Sequence, residues 1–503
     1  MTPVGPGRRL TTQDSAFLYF EKATAPMNVG TVAVFEGQIS YDRLAQHFNS
    51  RMPLAPRYRH RLVPAPLGLA HPAWEPDPEF NIYNHVRRVR LPAPGSEEQL
   101  AELAGKLYAS PLSQRKPLWE FYLVEGLSGE RSAIVGKIHH CLTDGISGVE
   151  LMMVSLDISP EPSPPVVSEE EWNPKPIPSS GARLVDAALD RLGHWMRMAS
   201  DVQASLLDPR KPLRRAQHVL LGVEHLGPLF VRPVPRTPFN RRISGERVLS
   251  WIQLPFAEVR AIRSALGVTV NDVALTIVSG AMKRYLEAHG QSTEGVELRI
   301  MAPVNIRPEG EKIAQANYIS SMFPEIPVGI ADPIQRARAV RERMEWLKRD
   351  GQATGVYALF RVLDVFIPPA VQRLMGAMPQ APNVLLNMIC TNVPGPMIPL
   401  YVVGHRLLAH YPMVPLTWDM GLGVCVTSYD HKLLISLTAD PNVVPDLPLL
   451  KQFFAESFKE LRTAAGVVPT DLPVLVRRPA KESAPPEVSE SGAPVGGRPP
   501  RLP

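Results

Sequence analysis

The stretch Lys137–Gly148, KIHHCLTDGISG, sets His139 beside His140, with Asp144 and Gly145 four and five positions after the second histidine. A neutral imidazole can take a proton from a hydroxyl as that oxygen attacks an acyl carbonyl, a general-base contribution of roughly 10²- to 10⁴-fold. A nearby carboxylate such as Asp144 can orient the ring or brace the turn. The same residues also fit a buried histidine satisfied by backbone bonds beside a capping aspartate. Spacing alone leaves both readings open. Two other chemistries fit less well. No HExxH or CxxC spacing supplies further ligands, so no metal is expected. Cys141 as nucleophile would have to turn toward His140 against the alternation of a strand.

The elements around the motif must do the positioning. RSAIVGKIHH reads as a buried strand whose side chains alternate, so Ile134, Ile138 and His140 share one face and His139 points the other way with Val135 and Lys137. The two histidines therefore have different jobs, and His140, on the more consistently apolar face, is the candidate base. After it the spacing becomes helical, with Asp144 in the turn and Gly145 and Gly148 allowing close backbone approach.

Farther along, RVLSWIQLP alternates as a strand, FAEVRAIRSALG reads as a helix stopped by Gly267, and TVNDVALTIVSGAMKRYLEAHG as a longer helix ending at Gly290. ELRIMAPVNIR returns as a strand, and GLGVCVTSYDHKLLISLTAD as a hairpin turning at Asp430 and His431. Strands alternating with helices define an α/β class with mixed sheets. The boundaries read as 1–158 for a first unit, 159–245 for a Pro-rich linker and an amphipathic crossover helix, 246–465 for a second unit, and 466–503 for a disordered Pro-rich tail.

At 503 residues, with 45% hydrophobic and 20% charged side chains, the chain has material for two large units. Its 54 basic and 49 acidic residues nearly balance, at a net charge of +5, and no zinc-finger spacing or dense basic tract occurs. Nucleic acid is not an expected partner. Three scattered cysteines fit a reducing compartment. The N-terminus lacks an apolar secretory core, and no run approaches the ~20 apolar residues of a membrane span. A cytoplasmic protein with at most peripheral membrane contact is expected.

HHCLTDG matches the HHxxxDG signature of acyltransferases with the chloramphenicol-acetyltransferase-like fold. TTQDSAFLYFEKATAPMNVG and PLWEFYLVEGL before it, and NDVALTIVSGAM, PVNIR and TNVPGP after it, stand in order, and from about Leu10 to Arg462 the chain resembles the bacterial wax ester synthase/diacylglycerol acyltransferase family. The signature also occurs in peptide-synthetase condensation domains; the ordered set is far more specific. The resemblance implies two chloramphenicol-acetyltransferase-like subdomains of mixed sheets flanked by helices, with the active-site channel at their interface. It implies direct acyl transfer from acyl-CoA, a substrate rather than a cofactor, to diacylglycerol or a long-chain alcohol. His140 inherits the base role and His139 an auxiliary one. Asp144 inherits a structural role, with Arg307 as its partner.

Asn271 and Asp272 match the family's ND motif, as substrate-positioning residues or as ordinary helix caps. Pro117, Leu118 and Trp119 match its PLW motif and fit a structural support. The family often has histidine where Asn28 stands, and neither Asn28 nor Glu21 is assigned chemistry. A lipophilic acceptor implies contact with the inner membrane face or lipid inclusions, and two stretches are candidates for it: the basic amphipathic helix 182–207 and the segment 355–378. Both also fit helices that cover a domain junction. Gly421 and Gly423 fit either room for an acyl chain or a bulge. The alternatives are an acyltransferase or condensation enzyme whose donor rides on a carrier protein, and a lipid-surface protein without activity.

Overall fold

The strand expected from RSAIVGKIHH is the inner member of a six-stranded sheet. The computed structural model describes residues 9–142, 155–164, 172–174, 176–207, 231–305, 319–378 and 385–470, with a few isolated positions between them. Asp144, Gly145 and Arg307, and most of the expected C-terminal tail, lie outside the described residues.

The first part of the chain runs α1 (Thr12–Phe20), β1 (Asn28–Glu36), α2 (Tyr41–Arg51), β2 (His60–Val63), β3 (Ala73–Pro76), β4 (Val86–Arg90), α3 (Glu97–Ala109), β5 (Trp119–Leu127) and β6 (Arg131–His139). α3 begins at a capping box in which Ser96 and Gln99 satisfy each other's backbone N–H groups. Its carbonyl end is closed by buried Lys137, whose Nζ donates to Leu107 O at 3.1 Å and Ser110 O at 3.0 Å. A cation there complements the helix dipole. Burial lowers the Lys137 ammonium pKa, and Glu120 opposes that shift.

Within the 159–245 stretch comes α4 (Ser180–Leu207), helical where a helix over 182–207 is expected. The remainder runs β7 (Val248–Pro255), α5 (Phe256–Leu266), α6 (Val270–Ala288), β8 (Glu297–Asn305), β9 (Ile319–Met322), β10 (Glu325–Pro327), α7 (Pro333–Asp350), α8 (Gln352–Phe366), α9 (Pro369–Ala377), β11 (Met388–Val393), β12 (Tyr401–Val402), β13 (His405–Met413), β14 (Leu422–Tyr429), β15 (Lys432–Ala439) and α10 (Leu447–Ala464). α5 stops at Gly267 with φ 64°, as its position predicts. β14 and β15 pair as Tyr429↔Lys432, with Asp430 and His431 at φ 40° and 64° between them, the two positive values a two-residue hairpin turn requires. α6 is buried along most of its length and packs on this second sheet, of order β10-β8-β11-β14-β15-β7.

The first sheet has the order β12-β13-β1-β6-β5-β4. Its outer strands β12 and β13 come from the 246–465 stretch, and β13 pairs with β1 from Gly30↔Met413 onward. Leu249, Trp251, Tyr429 and Leu434 also pack into the first core, beside Trp119 and Ile138. The linker therefore separates two stretches of sequence whose side chains share a core. The described linker residues touch both units: Arg59 of the first stacks over Trp172 at 4.0 Å, while Phe239 and Ile243 pack into the second core.

Two expectations change. The 355–378 segment is not one helix, because Pro368 and Pro369 end α8 and begin α9. Gly421 and Gly423 do not open a channel: a Cβ on them would meet Val443 Cγ1 at 2.4 Å and Val414 Cγ2 at 2.5 Å, so they let neighbouring side chains close in. Among the described residues no single helix is long and apolar enough to cross a membrane.

Candidate active site

β6 places the histidine pair. His139 is its last residue, lies opposite Asn28 of β1 and is 1% exposed. His139 N donates to Leu118 O at 3.0 Å, and His140 N donates to Met27 O at 2.8 Å. Backbone bonds from two directions thus fix both residues where the strand becomes a turn.

The side chains then separate, as alternation requires. His139 shares its face with Lys137. Its Nδ1 accepts the Cys141 N–H at 3.1 Å and lies 2.9 Å from Cys141 Sγ. An Nδ1 that accepts a backbone N–H carries no proton, which leaves the ring proton on Nε2, 3.5 Å from Glu21 Oε1. Glu21 Oε1 also accepts Met27 N at 3.1 Å, which ties the carboxylate to the backbone before β1 as it faces the first histidine. His140 instead stacks on Phe17 of α1, ring centroids 3.8 Å apart and planes 7° from parallel, and is only partly buried. His139 is spent on holding the corner, while His140 keeps a partly open position.

Cys141 is a packing residue. Burial pushes its thiol pKa well up, and Asp14 and Glu21 push it further, which suppresses the thiolate a nucleophile needs. It clusters with Leu62, Trp74, Leu112 and Leu118.

The PLW residues sit beneath the corner. Leu118 and Trp119 are fully buried, Pro117 O accepts Trp119 N at 2.9 Å, and Trp119 Nε1 donates to Tyr58 O at 2.8 Å. Their contact with the histidines is the Leu118 carbonyl, a support made by backbone. Asn28 is another such support. Its Nδ2 donates to Tyr108 O at 3.2 Å and Ser110 O at 3.1 Å, which ties the start of β1 to the end of α3.

Asn271 and Asp272 divide in the same way. Asp272 is 2% exposed and closes a capping box: its Oδ2 accepts Thr269 N at 2.8 Å, and its own N–H donates to Thr269 Oγ1 at 3.2 Å. That carboxylate belongs to the helix start, so substrate positioning passes to its neighbour. Asn271 Oδ1 accepts from Asn392 Nδ2 at 3.0 Å, which joins the ND motif to TNVPGP. In that stretch Gly395 is required by a close approach, since a Cβ there would lie 2.3 Å from Ser428 O. The predicted residues thus fall into two groups, the histidine corner with Leu118, and the α6 start with Asn392.

Glu21 and Phe17 are the functional candidates that sequence reasoning did not pick out. The signal available was an acidic residue a few positions before Asn28, a polar side chain that opens an apolar strand. A surface cavity of about 500 Å³ along α6 and α10, lined by Arg284, Glu456, Lys459 and Glu460, contains none of these groups.

Two mixed sheets flanked by helices, with a histidine pair at the end of an inner strand, define the chloramphenicol-acetyltransferase-like class of acyltransferases. Comparison with solved structures agrees: the wax ester synthase/diacylglycerol acyltransferase of Marinobacter aquaeolei VT8 superposes with a TM-score of 0.62 at 22% identity, covering 91% of this chain and all of that one. The first condensation domain of the calcium-dependent antibiotic synthetase superposes at 0.56 and 16% identity over 91% of this chain and 96% of that one, a likeness of fold alone. The family model for the wax ester synthase/diacylglycerol acyltransferase catalytic domain matches residues 10–274, and that for the family's C-terminal domain matches 315–462. The chain belongs to this family and is an acyltransferase. A putative diacylglycerol O-acyltransferase of Mycobacterium tuberculosis strain H37Rv is 32% identical over 91% of this chain and 98% of its own length. A probable diacylglycerol O-acyltransferase of the same strain is 29% identical over 87% of this chain and 92% of its own.

Proposed function

We propose that the protein moves a long-chain fatty acyl group from acyl-CoA to diacylglycerol, to a long-chain alcohol, or to both, with His140 as general base. The observation that carries the reading is the division of the histidine pair: His139 is enclosed by Cys141 and faces Glu21, whereas His140 is partly open against Phe17. His140 takes the proton of the acceptor hydroxyl as its oxygen attacks the thioester carbonyl carbon. The tetrahedral intermediate collapses with cleavage of the C–S bond, and CoA leaves as a thiolate that takes up the proton. No covalent acyl-enzyme is required, which agrees with the suppressed Cys141 thiol.

In this reading Asn271 helps position the substrate or the developing oxyanion, and Asp272 holds the helix that carries it. Asp144 and Arg307 form the pair that braces the turn, Gly145 gives it room, and Pro117, Leu118 and Trp119 support β6. Scattered lysine, arginine and backbone groups meet the CoA phosphates, and no cofactor takes part. The names of the curated relatives favour diacylglycerol as acceptor, and the Marinobacter likeness keeps alcohols in view. The site of action is the cytoplasmic face of the inner membrane or the surface of lipid inclusions.

The test is CoA release from palmitoyl-CoA by purified protein with diacylglycerol, with hexadecanol and with neither. Acceptor-dependent release that disappears in a folded His140→Ala variant supports the reading and ranks the acceptors. No acceptor-dependent release from the natural chain would move the donor to a carrier protein.

A further inference from the structure

Among the described side chains, the N-terminal half of α4 docks through one edge. Ala187 packs against Ala65 and Ala70, Arg183 Nη1 donates to Pro64 O at 3.0 Å, and Asp186 pairs with Arg9. On other turns Val185, Leu189, Leu192 and Met196 are 55%, 57%, 57% and 65% exposed. Spacings of four, three and four place these four on one helical stripe, which is turned outward. A stripe of this kind on a water-facing helix is costly unless something covers it.

The stripe has neighbours. The loop that receives α4 carries Leu67 at 83% exposure, and on its other side Gly68 abuts Ala370 of α9. α9 presents Leu374 and Met375 outward at 66% and 47%. No acidic residue occurs in 63–72 or 369–378, where Arg373 is exposed, and on α4 Asp186 pairs with Arg9 while Asp190, 3.6 Å from that guanidinium, stays partly exposed. Apolar side chains around an exposed cation, on a loop and a helix that carry no carboxylate, complement an anionic phospholipid surface.

This face also leads toward the histidine corner. Arg373 stacks over Tyr19 of α1 at 5.3 Å and lines a cavity of about 310 Å³ together with Leu18, Leu62 and Gln114. Leu18 and Leu62 belong to the cluster that contains Cys141 and Leu118, and Phe17, one residue before Leu18, is the ring under His140. α9 is clamped to α1: Gln372 Nε2 donates to Thr12 O at 2.9 Å, and a Cβ on Gly376 would lie 2.3 Å from Tyr19 O.

We propose that the outer stripe of α4, the Leu67 loop and the outer face of α9 form the surface by which the protein lies on anionic phospholipid, and that the cavity beside Arg373 is the mouth through which a lipid acceptor leaves that surface for the histidine corner. The proposal rests on the acceptor being lipophilic. The acceptor then reaches the base without crossing water.

The test is flotation of the full chain with phosphatidylcholine vesicles containing phosphatidylglycerol. The variants are Leu189→Asp with Leu192→Asp on α4, Leu374→Asp with Met375→Asp on α9, and Ile158→Asp as a control, exposed at 69% but outside the face. All these sites are exposed, so matched melting curves are expected. Each double variant should partition onto vesicles at least tenfold less than the natural chain, and the control should not change. CoA release with vesicle-borne diacylglycerol should fall in parallel, while release with hexanol in solution stays within twofold. Arg373→Gln should weaken partition onto phosphatidylglycerol-containing vesicles and leave that onto pure phosphatidylcholine unchanged. Double variants that float and turn over vesicle-borne acceptor like the natural chain would overturn the proposal. So would a natural chain that never floats and is a dimer which the variants split, since the face would then join two copies. A natural chain that floats but releases no CoA with any acceptor would leave the surface standing and remove the acyl-transfer reading.

Discussion

The end of β6 and the start of α6 each carry two polar residues in succession, and in each pair one side chain holds the backbone while the other reaches outward. They differ in how far the hold extends. Asp272 is fixed by Thr269 three residues away, a capping box any helix can form. His139 is fixed by the N–H of Cys141 two residues on and by its own N–H on Leu118 O of β5's entry, and it faces Glu21 across a turn and a strand. A local hold survives changes elsewhere in the chain. A hold assembled from separate elements makes the histidine corner depend on α1, β1 and β5 all being in place.

The largest expected effect tests the outward partner at the strand end. His140→Ala should lower acceptor-dependent CoA release by roughly 10²- to 10⁴-fold with little change in melting temperature. Loss below tenfold would mean that the two histidines are not divided as described. At the helix start, Asn271→Ala should cost about 10²-fold in kcat, the worth of one positioned oxyanion donor. An unchanged kcat would leave that pair with no outward role.

Acid should separate the two regions. His71 lies under α1, within 3.1 Å of Thr12 Oγ1 and 3.0 Å of Ser15 Oγ, and burial, then the nearby Arg9, Arg191 and Arg373, lowers its pKa to about 4. Its unfolded value is near 6.5. Between those values the unfolded chain binds more protons, so this contribution to stability is complete above pH 6.5 and is lost as the pH falls toward 4. At pH 5 the loss is about 2 kcal/mol. Hydrogen exchange between pH 7 and 5 should show α1 loosening while α6 stays protected.

Smaller effects probe the holds themselves. Glu21→Ala should lower kcat about tenfold at unchanged KM, the scale of one charge-assisted contact. Glu21→Gln, which keeps an oxygen for the Met27 N–H, should recover most of that. A purely structural role would move melting temperature and leave kcat alone. Asp272→Ala should cost about 1 kcal/mol of stability, as loss of a helix cap does, with turnover within twofold. If instead it abolishes turnover at unchanged stability, its carboxylate meets substrate.

The legible parts of the molecule are those whose physics is local. Period-two alternation separates His139 from His140, a glycine stops α5, and Asp430-His431 between two apolar runs turns β14 into β15. Asp272 was harder, because an Asn-Asp pair at a helix start fits a cap at either residue, and only the Thr269 geometry decides between them. Glu21 escaped because its partner is an imidazole more than a hundred positions away, and no pattern in one sequence encodes that meeting. α4 was legible as an amphipathic helix, though not by the stripe that faces outward. Which way it faced depended on Ala187 finding Ala65 and Ala70.

The pairing of β13 with β1 bears on how the chain reaches this state. β1 lies between β6 and a strand more than 370 positions further along, so the nascent first half exposes an unpaired strand edge until residues 405–413 have been made. Such distant pairing slows folding and leaves the intermediate open to aggregation. A fragment truncated before 405 would keep every histidine-corner residue and still lack one neighbour of β1. A separately supplied 231–470 piece should rescue its solubility, which makes the enzyme a natural candidate for a split-protein reporter.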